Sequence, residues 1–181
     1  MLLYEKFRIK YRKNYRLVLE VYVLDTTSPH SGVRVEDGIA VKEANGGWVT
    51  LRSTTPLTPS SHQFGVKIID HGESPDASGL MLGLLPRLSS NVVPQMGSKY
   101  ISELGGWCLS RAGEFYGTWK CERISFVTGT VVEIDVDFAS GAVSITCGGE
   151  RALGHIVGLG DSVEVYPAVS LYYASQRVVF V

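Results

Sequence analysis

Hydrophobic residues recur with a period of two along most of this chain, the spacing of strands with one dry and one wet face. Val132-Glu133-Ile134-Asp135-Val136-Asp137-Phe138 alternates without a fault. Ala139-Ser140-Gly141 then predicts a turn into Val143-Ser144-Ile145-Thr146-Cys147, which alternates again, so the pair is expected to form a β-hairpin. Shorter strands are predicted at Val33–Val35, Ile39–Val41 and Trp48–Leu51, separated by the turn signals Asp37-Gly38 and Asn45-Gly46-Gly47. Phe64–Ile69, Gly79–Leu85, Tyr166–Leu171 and Arg177–Val181 complete the set, with Trp107-Cys108-Leu109 as a further strand. Near the N-terminus, Lys6–Arg12 alternates basic and apolar residues, and Leu17–Leu24 is almost wholly apolar.

No stretch of ten or more residues has helical periodicity; Lys99–Leu104 predicts at most a turn, and 86–106 reads as a long loop between strands. Many short strands with turn chemistry between them predict an all-β, antiparallel β-sandwich. Long loops on such scaffolds are where binding usually resides.

Composition narrows the class. The 181 residues suit one domain able to bury its own core, with 45% hydrophobic and 19% charged residues, as in soluble globular proteins. The net charge of −1 gives no global attraction to nucleic acid or membrane. Its distribution is uneven. Residues 1–16 carry six basic residues and Glu5, a net +5, while the remainder carries 11 basic and 17 acidic residues, a net −6.

The scattered Cys108, Cys121 and Cys147 make neither a disulfide framework nor a zinc-binding pair, which points to a reducing intracellular compartment, cytoplasmic or nuclear. No apolar run approaches the ~20 residues of a membrane helix. Leu2-Leu3-Tyr4 precedes the basic cluster, the reverse of a secretory signal. The basic, acid-poor N-terminus also fits a mitochondrial presequence, so that compartment stays open.

Each chemistry-bearing residue has a competing packing or solvation role. Cys108 is a nucleophile only if a base serves it, and no motif ties His30, His62, His71 or His155 to it. Strand alternation gives Cys108 a packing role instead. Glu133, Asp135 and Asp137 share a strand face, which for period-two carboxylates is usually the solvated one, and no calcium-binding loop follows them. Nucleophile-elbow, phosphate-loop and dinucleotide signatures are absent; Gly158-Leu159-Gly160 lacks the third glycine. No metal, cofactor or small-molecule substrate is expected, and no membrane partner.

Tyr4, Phe7, Tyr11 and Tyr15 interleave with Lys6, Arg8, Lys10 and Arg12, a mixture that stacks bases and neutralises phosphates. The competing reading is an edge strand whose cations block aggregation. This face is the candidate surface for RNA or an acidic partner, with steep salt dependence as its signature. In GGWCLSRAGEFYGTWKC (105–121), Trp107 is expected in the core, and Tyr116 and Trp119 at a rim.

The order of these motifs resembles the SPRY family. Trp48–Leu57 is similar to its arginine-containing strand and the segment after it. Phe64-Gly65-Val66-Lys67-Ile68 is similar to its Tyr/Phe-x-Glu-Val-x-Ile strand, with Gly65 as a departure. Gly79–Leu84, Gly106-Trp107-Cys108-Leu109-Ser110, the hairpin Gly129–Ser144 and Val165-Tyr166-Pro167-Ala168-Val169-Ser170-Leu171 follow in the family's order.

The resemblance covers about residues 38–181. It implies a bent, SPRY-like sandwich of concanavalin-like jelly-roll type over 26–181, with 1–25 as a basic and apolar strand extension packed on it. It also implies a non-catalytic adaptor or scaffold whose inter-strand loops bind a peptide or loop of another protein. Carried over by position, the candidate residues are Arg52, Thr54, Thr55, Pro56, Pro86, Arg87, Tyr100 and Tyr116. Arg52 or Arg87 would pair with acidic or carbonyl groups of the ligand. The alternative is an RNA-associated subunit of a ribonucleoprotein, using the strand at 6–16.

Overall fold

The computed structural model describes residues 22–25, 32–73, 78–90, 92–160 and 163–181. Lys6, Arg8, Lys10, Arg12 and the strand expected over 6–16 lie outside the described residues. Within them, two antiparallel sheets face each other across an apolar core.

The larger sheet holds β1 (Val33–Glu36), β2 (Ile39–Lys42), β4 (Gln63–Asp70), β8 (Trp119–Cys121), β9 (Val131–Asp137), β10 (Ala142–Cys147), β11 (Glu150–Ile156) and β13 (Arg177–Phe180). Its order is β1-β2-β13-β4-β9-β10-β11-β8. The smaller sheet holds β3 (Val49–Arg52), β5 (Leu80–Pro86), β6 (Trp107–Ser110), β7 (Phe115–Tyr116) and β12 (Val165–Leu171), in the order β3-β12-β5-β6-β7.

The turn chemistry acts where the sequence places it. Asp37 and Gly38 both take positive φ, 51° and 78°, which makes the two-residue hairpin between β1 and β2. The β9–β10 hairpin pairs Asp137 with Ala142 and Val132 with Cys147. Val132, Ile134 and Val136 point inward, fully buried, while Glu133 and Asp137 are exposed and Asp135 half-buried. The carboxylates thus form a wet face, and among the described residues no three His, Cys, Asp or Glu side chains group as a metal site.

The smaller sheet is dry on both faces. Every residue of β12 is buried. Its inward residues Val165, Val169 and Leu171 join the main core with Leu51, Leu82 and Leu84. The outward residues of the same strands, Ala168, Met81, Leu85 and Cys108, form a second apolar cluster with Met96, Ile101 and Leu104. These last three come from two 3-10 turns, Val93–Gly97 and Ile101–Leu104; the second falls on the turn expected over Lys99–Leu104, and the first lies in the segment read from sequence as a loop.

A polar clamp holds that segment down. Thr50 Oγ1 donates to the Lys99 carbonyl at 2.7 Å, and the Ile101 N–H donates to Ser170 Oγ at 3.1 Å. The two hydroxyl oxygens lie 2.7 Å apart, so Ser170 is left to donate to Thr50. Close approach also demands glycine at 83: a Cβ there would stand 2.0 Å from the Trp107 carbonyl oxygen.

Residues 22–25 run beside the end of β3. The Asp25 N–H donates to the Arg52 carbonyl and the Thr54 N–H to the Val23 carbonyl, both at 2.8 Å, and Leu24 bridges Ser53. Tyr22 and Leu24 are buried in the main core.

Three local expectations are corrected. Glu150–Ile156 forms β11, a strand the sequence pattern did not predict. Trp119, expected at a rim, is buried, because β8 pairs Trp119 with Ile156 of β11 and so turns the indole inward against Phe115. Trp107, expected in the core, is only half-buried: it packs on the core at one side and donates its indole N–H to Thr118 Oγ1 at 2.9 Å.

Candidate functional site

The sequence candidates among the described residues fall on the smaller sheet or on the segments bordering it, but in two groups. Arg52, Thr54, Thr55, Pro56, Pro86 and Arg87 gather around the start of β12. Pro86 pairs with Val165, the Arg87 N–H donates to the Glu164 carbonyl at 2.9 Å, and the Leu57 N–H to the Val165 carbonyl at 2.8 Å. Thr54 and Thr55 are exposed, and Pro56 is half-buried. Ser53 Oγ donates to the Thr55 carbonyl at 2.6 Å, which fixes the bend after β3.

The two arginines of this group are already engaged. The Arg52 guanidinium lies 4.3 Å from the centre of the Tyr166 ring, and its Nε is 3.7 Å from Asp25. The Tyr166 hydroxyl donates to Glu164, and Arg87 Nη1 bonds the same carboxylate at 3.1 Å. The Tyr166 bond, then Arg87 and Arg52, holds the Glu164 carboxyl below its ordinary range. Burial, reinforced by Glu164, pushes the Tyr166 phenol up. Among the described residues, two cations here are matched by two carboxylates, without the charge excess of a phosphate or acidic-peptide trap. Arg87, with 74% of its side chain exposed, remains open to contact.

Tyr100 and Tyr116 belong to the second group, together with three residues sequence reasoning missed. Tyr173, Tyr172, Trp48, Tyr100 and Tyr116 form a continuous run of half-buried rings. Successive centroids are 4.9, 5.0, 5.1 and 6.0 Å apart, all in tilted or edge-to-face contact. The register assembles them: Trp48 precedes β3 where Val49 pairs with Leu171, the residue before Tyr172. Tyr116 sits opposite Cys108 on the outermost strand.

Both ends of the run are fixed by hydrogen bonds, one of them from a buried amide. Fully buried Gln176 accepts the N–H groups of Tyr172 and Tyr173 at 2.8 and 3.1 Å. Its amide donates to the carbonyls of His71 and Gly79 at 3.2 and 2.9 Å. At the other end, Glu103 accepts the Tyr100 N–H at 3.1 Å and Glu114 accepts the Tyr116 hydroxyl at 2.8 Å. Burial, then the Glu114 carboxylate, pushes the Tyr116 phenol up to about 12.

Cys108 lies directly under this surface, fully buried, with its thiol 3.6 Å from the Met81 sulfur. Burial pushes that thiol up to about 12, the opposite of what a nucleophilic cysteine needs. Its packing role is therefore the one the structure supports. Among the described residues no helix is long and apolar enough to cross a membrane.

Comparison with known proteins bears on the fold. No protein-family model and no curated protein matches the sequence. Solved structures do match. A human SPRY domain superposes with a TM-score of 0.63 at 19% identity, covering 84% of this chain and 96% of that one. The SPRY domain of human HERC1 gives 0.61 at 20% identity, over 82% and 91% of the two chains. The neuralized NHR1 domain of Drosophila melanogaster gives 0.62 at 11% identity, over 90% and 98%. With the two-sheet topology and the motif order above, the chain folds as a SPRY-like β-sandwich domain.

Proposed function

We propose that this chain is a non-catalytic protein-interaction module, an adaptor or scaffold that binds a peptide or loop of a partner protein. The binding surface is the outer side of the five-stranded sheet and its bordering loops. One observation carries this reading: five half-buried aromatic rings in unbroken contact, with both ends of the run anchored by hydrogen bonds. Tryptophan and tyrosine are the commonest anchors of protein interfaces. A surface fixed before binding avoids the entropy cost of ordering side chains on contact. The group of Arg52, Thr54, Thr55, Pro56, Pro86 and Arg87 borders the same sheet and would add polar contacts.

The test is selection of a random phage-displayed peptide library on the whole chain, then affinity measurements on variants whose circular dichroism matches the parent. Trp48→Ala should weaken the selected peptides by about thirtyfold, the loss of one interface anchor. Arg87→Ala should cost about threefold, as for an exposed ion-paired residue. Peptides that bind both variants as tightly as the parent would place the site elsewhere.

A further inference from the structure

The sequence Glu-x-Tyr occurs twice on the outer side of the five-stranded sheet, as Glu114-Phe115-Tyr116 and Glu164-Val165-Tyr166. The two copies are built alike. Each tyrosine hydroxyl donates to the carboxylate two residues earlier. Tyr116 and Tyr166 both point away from the main core, since their neighbours Phe115 and Val165 pack into it. In each case burial and the adjacent carboxylate raise the phenol, so both tyrosines are neutral donors at neutral pH.

They differ in what lies over the ring. Tyr166 carries the Arg52 guanidinium on its face, with Glu164 beside it. The ring and the carboxylate together serve two guanidinium groups: Arg52 stacks on Tyr166 and reaches Asp25, while Arg87 pairs with Glu164. Among the described residues, no cation lies over Tyr116; its ring packs on the second apolar cluster and meets Tyr100 in a T-shaped contact. The local charge has the matching sign. Glu103 and Glu114 are exposed acidic residues bonded to the Tyr100 backbone and the Tyr116 hydroxyl, with Lys99 as the basic residue beside Tyr100.

We infer that the Glu114–Tyr116 pair receives an arginine side chain of the partner protein, which stacks on the ring as Arg52 does on Tyr166 and pairs with the carboxylate as Arg87 does with Glu164. The guanidinium would lie across the Tyr116 ring and pair with Glu114, and the partner's flanking residues would continue along Tyr100 and Trp48. Arginine fits better than lysine because its planar group stacks on the ring while its N–H fork meets the carboxylate. This inference rests on the binding surface proposed above.

The same phage-displayed library, selected on the whole chain, tests it. Binders that Trp48→Ala weakens should be enriched in arginine over the unselected library. Replacing that arginine by citrulline, which keeps the shape and removes the charge, should cost about tenfold, as should Glu114→Gln in the protein. Combined, the two changes should cost little more than either alone, because they remove one shared contact.

Binders that need Trp48 yet show no arginine enrichment, or are indifferent to Glu114→Gln, would overturn the inference and leave the binding surface standing. Enrichment of lysine would equally overturn the choice of guanidinium. Binders indifferent to Trp48→Ala, or an empty selection, would overturn both. Self-association of the chain abolished by Glu114→Gln would put a second copy in the partner's place and also overturn it.

Discussion

The outer faces of the two sheets solve the same problem in opposite ways. On the eight-stranded sheet, β9 turns Glu133, Asp135 and Asp137 outward, and β10 adds Ser144 and Thr146 beside them. That face needs nothing on top. On the five-stranded sheet, the outward residues include Met81, Leu85, Cys108 and Ala168, and the segment after β5 folds back over them. The difference teaches where a β-sandwich acquires a recognition surface. A polar face is finished once formed, whereas an apolar outer face recruits a further layer, and the edge of that layer leaves aromatic rings half-covered.

The sharpest way to break this comparison is to force apart two strands on which the layer rests. Gly83 lies on the outward side of β5, where an added Cβ would be 2.0 Å from the Trp107 carbonyl oxygen and 2.8 Å from the Cys108 Cα. Both are backbone atoms and neither can move aside alone. Gly83→Ala should therefore destabilise the chain by about 3 kcal/mol or more, as severe overpacking does. Urea denaturation of the variant measures this. A loss under about 1 kcal/mol would mean that β5 and β6 are looser than their register implies.

A smaller effect is expected where the layer's rim is fixed. Gln176 binds four backbone groups and has no exposure. Gln176→Leu keeps the bulk but strands two N–H groups and two carbonyls, for an expected loss of about 2–3 kcal/mol after relaxation. Peptides selected on the parent should also lose affinity, since Tyr172 and Tyr173 would no longer be held in place. Unchanged stability would show that water replaces the amide without cost, and that the rim is not held from beneath.

The contrast also explains what the sequence disclosed. Val132–Phe138 was legible because each wet position is charged and each dry one is apolar. The β11 strand was not. Leu153 and Val157 are 58% and 56% exposed, which breaks the alternation on the solvent side. Gly154 adds a blank where an added Cβ would stand 2.6 Å from the Cys121 Cβ. Of the aromatic run, Tyr100 and Tyr116 were found through the resemblance. Trp48, Tyr172 and Tyr173 were hidden, because only the pairing of β3 with β12 brings them together. Arg52 and Arg87 lie in one region of the fold, but Asp25 and Glu164, which neutralise them, are visible only in three dimensions.

The smallest expected effect is on the wet face, and it tests the comparison's other half. Glu133 sits between Gly65 of β4 and Thr146 of β10, exposed and on the outward side of the sheet. If that face is finished by water alone, Glu133→Gln removes a solvated charge and nothing else. Urea denaturation should then show a shift within about 0.5 kcal/mol, the ordinary range for an exposed substitution. Salt should make little difference, since exposed charges are already screened at ~0.1 M ionic strength. A loss above about 1 kcal/mol would show that Glu133 meets a packed partner. The eight-stranded sheet would then carry a covering layer of its own, and the division between a finished face and a recruiting face would fail.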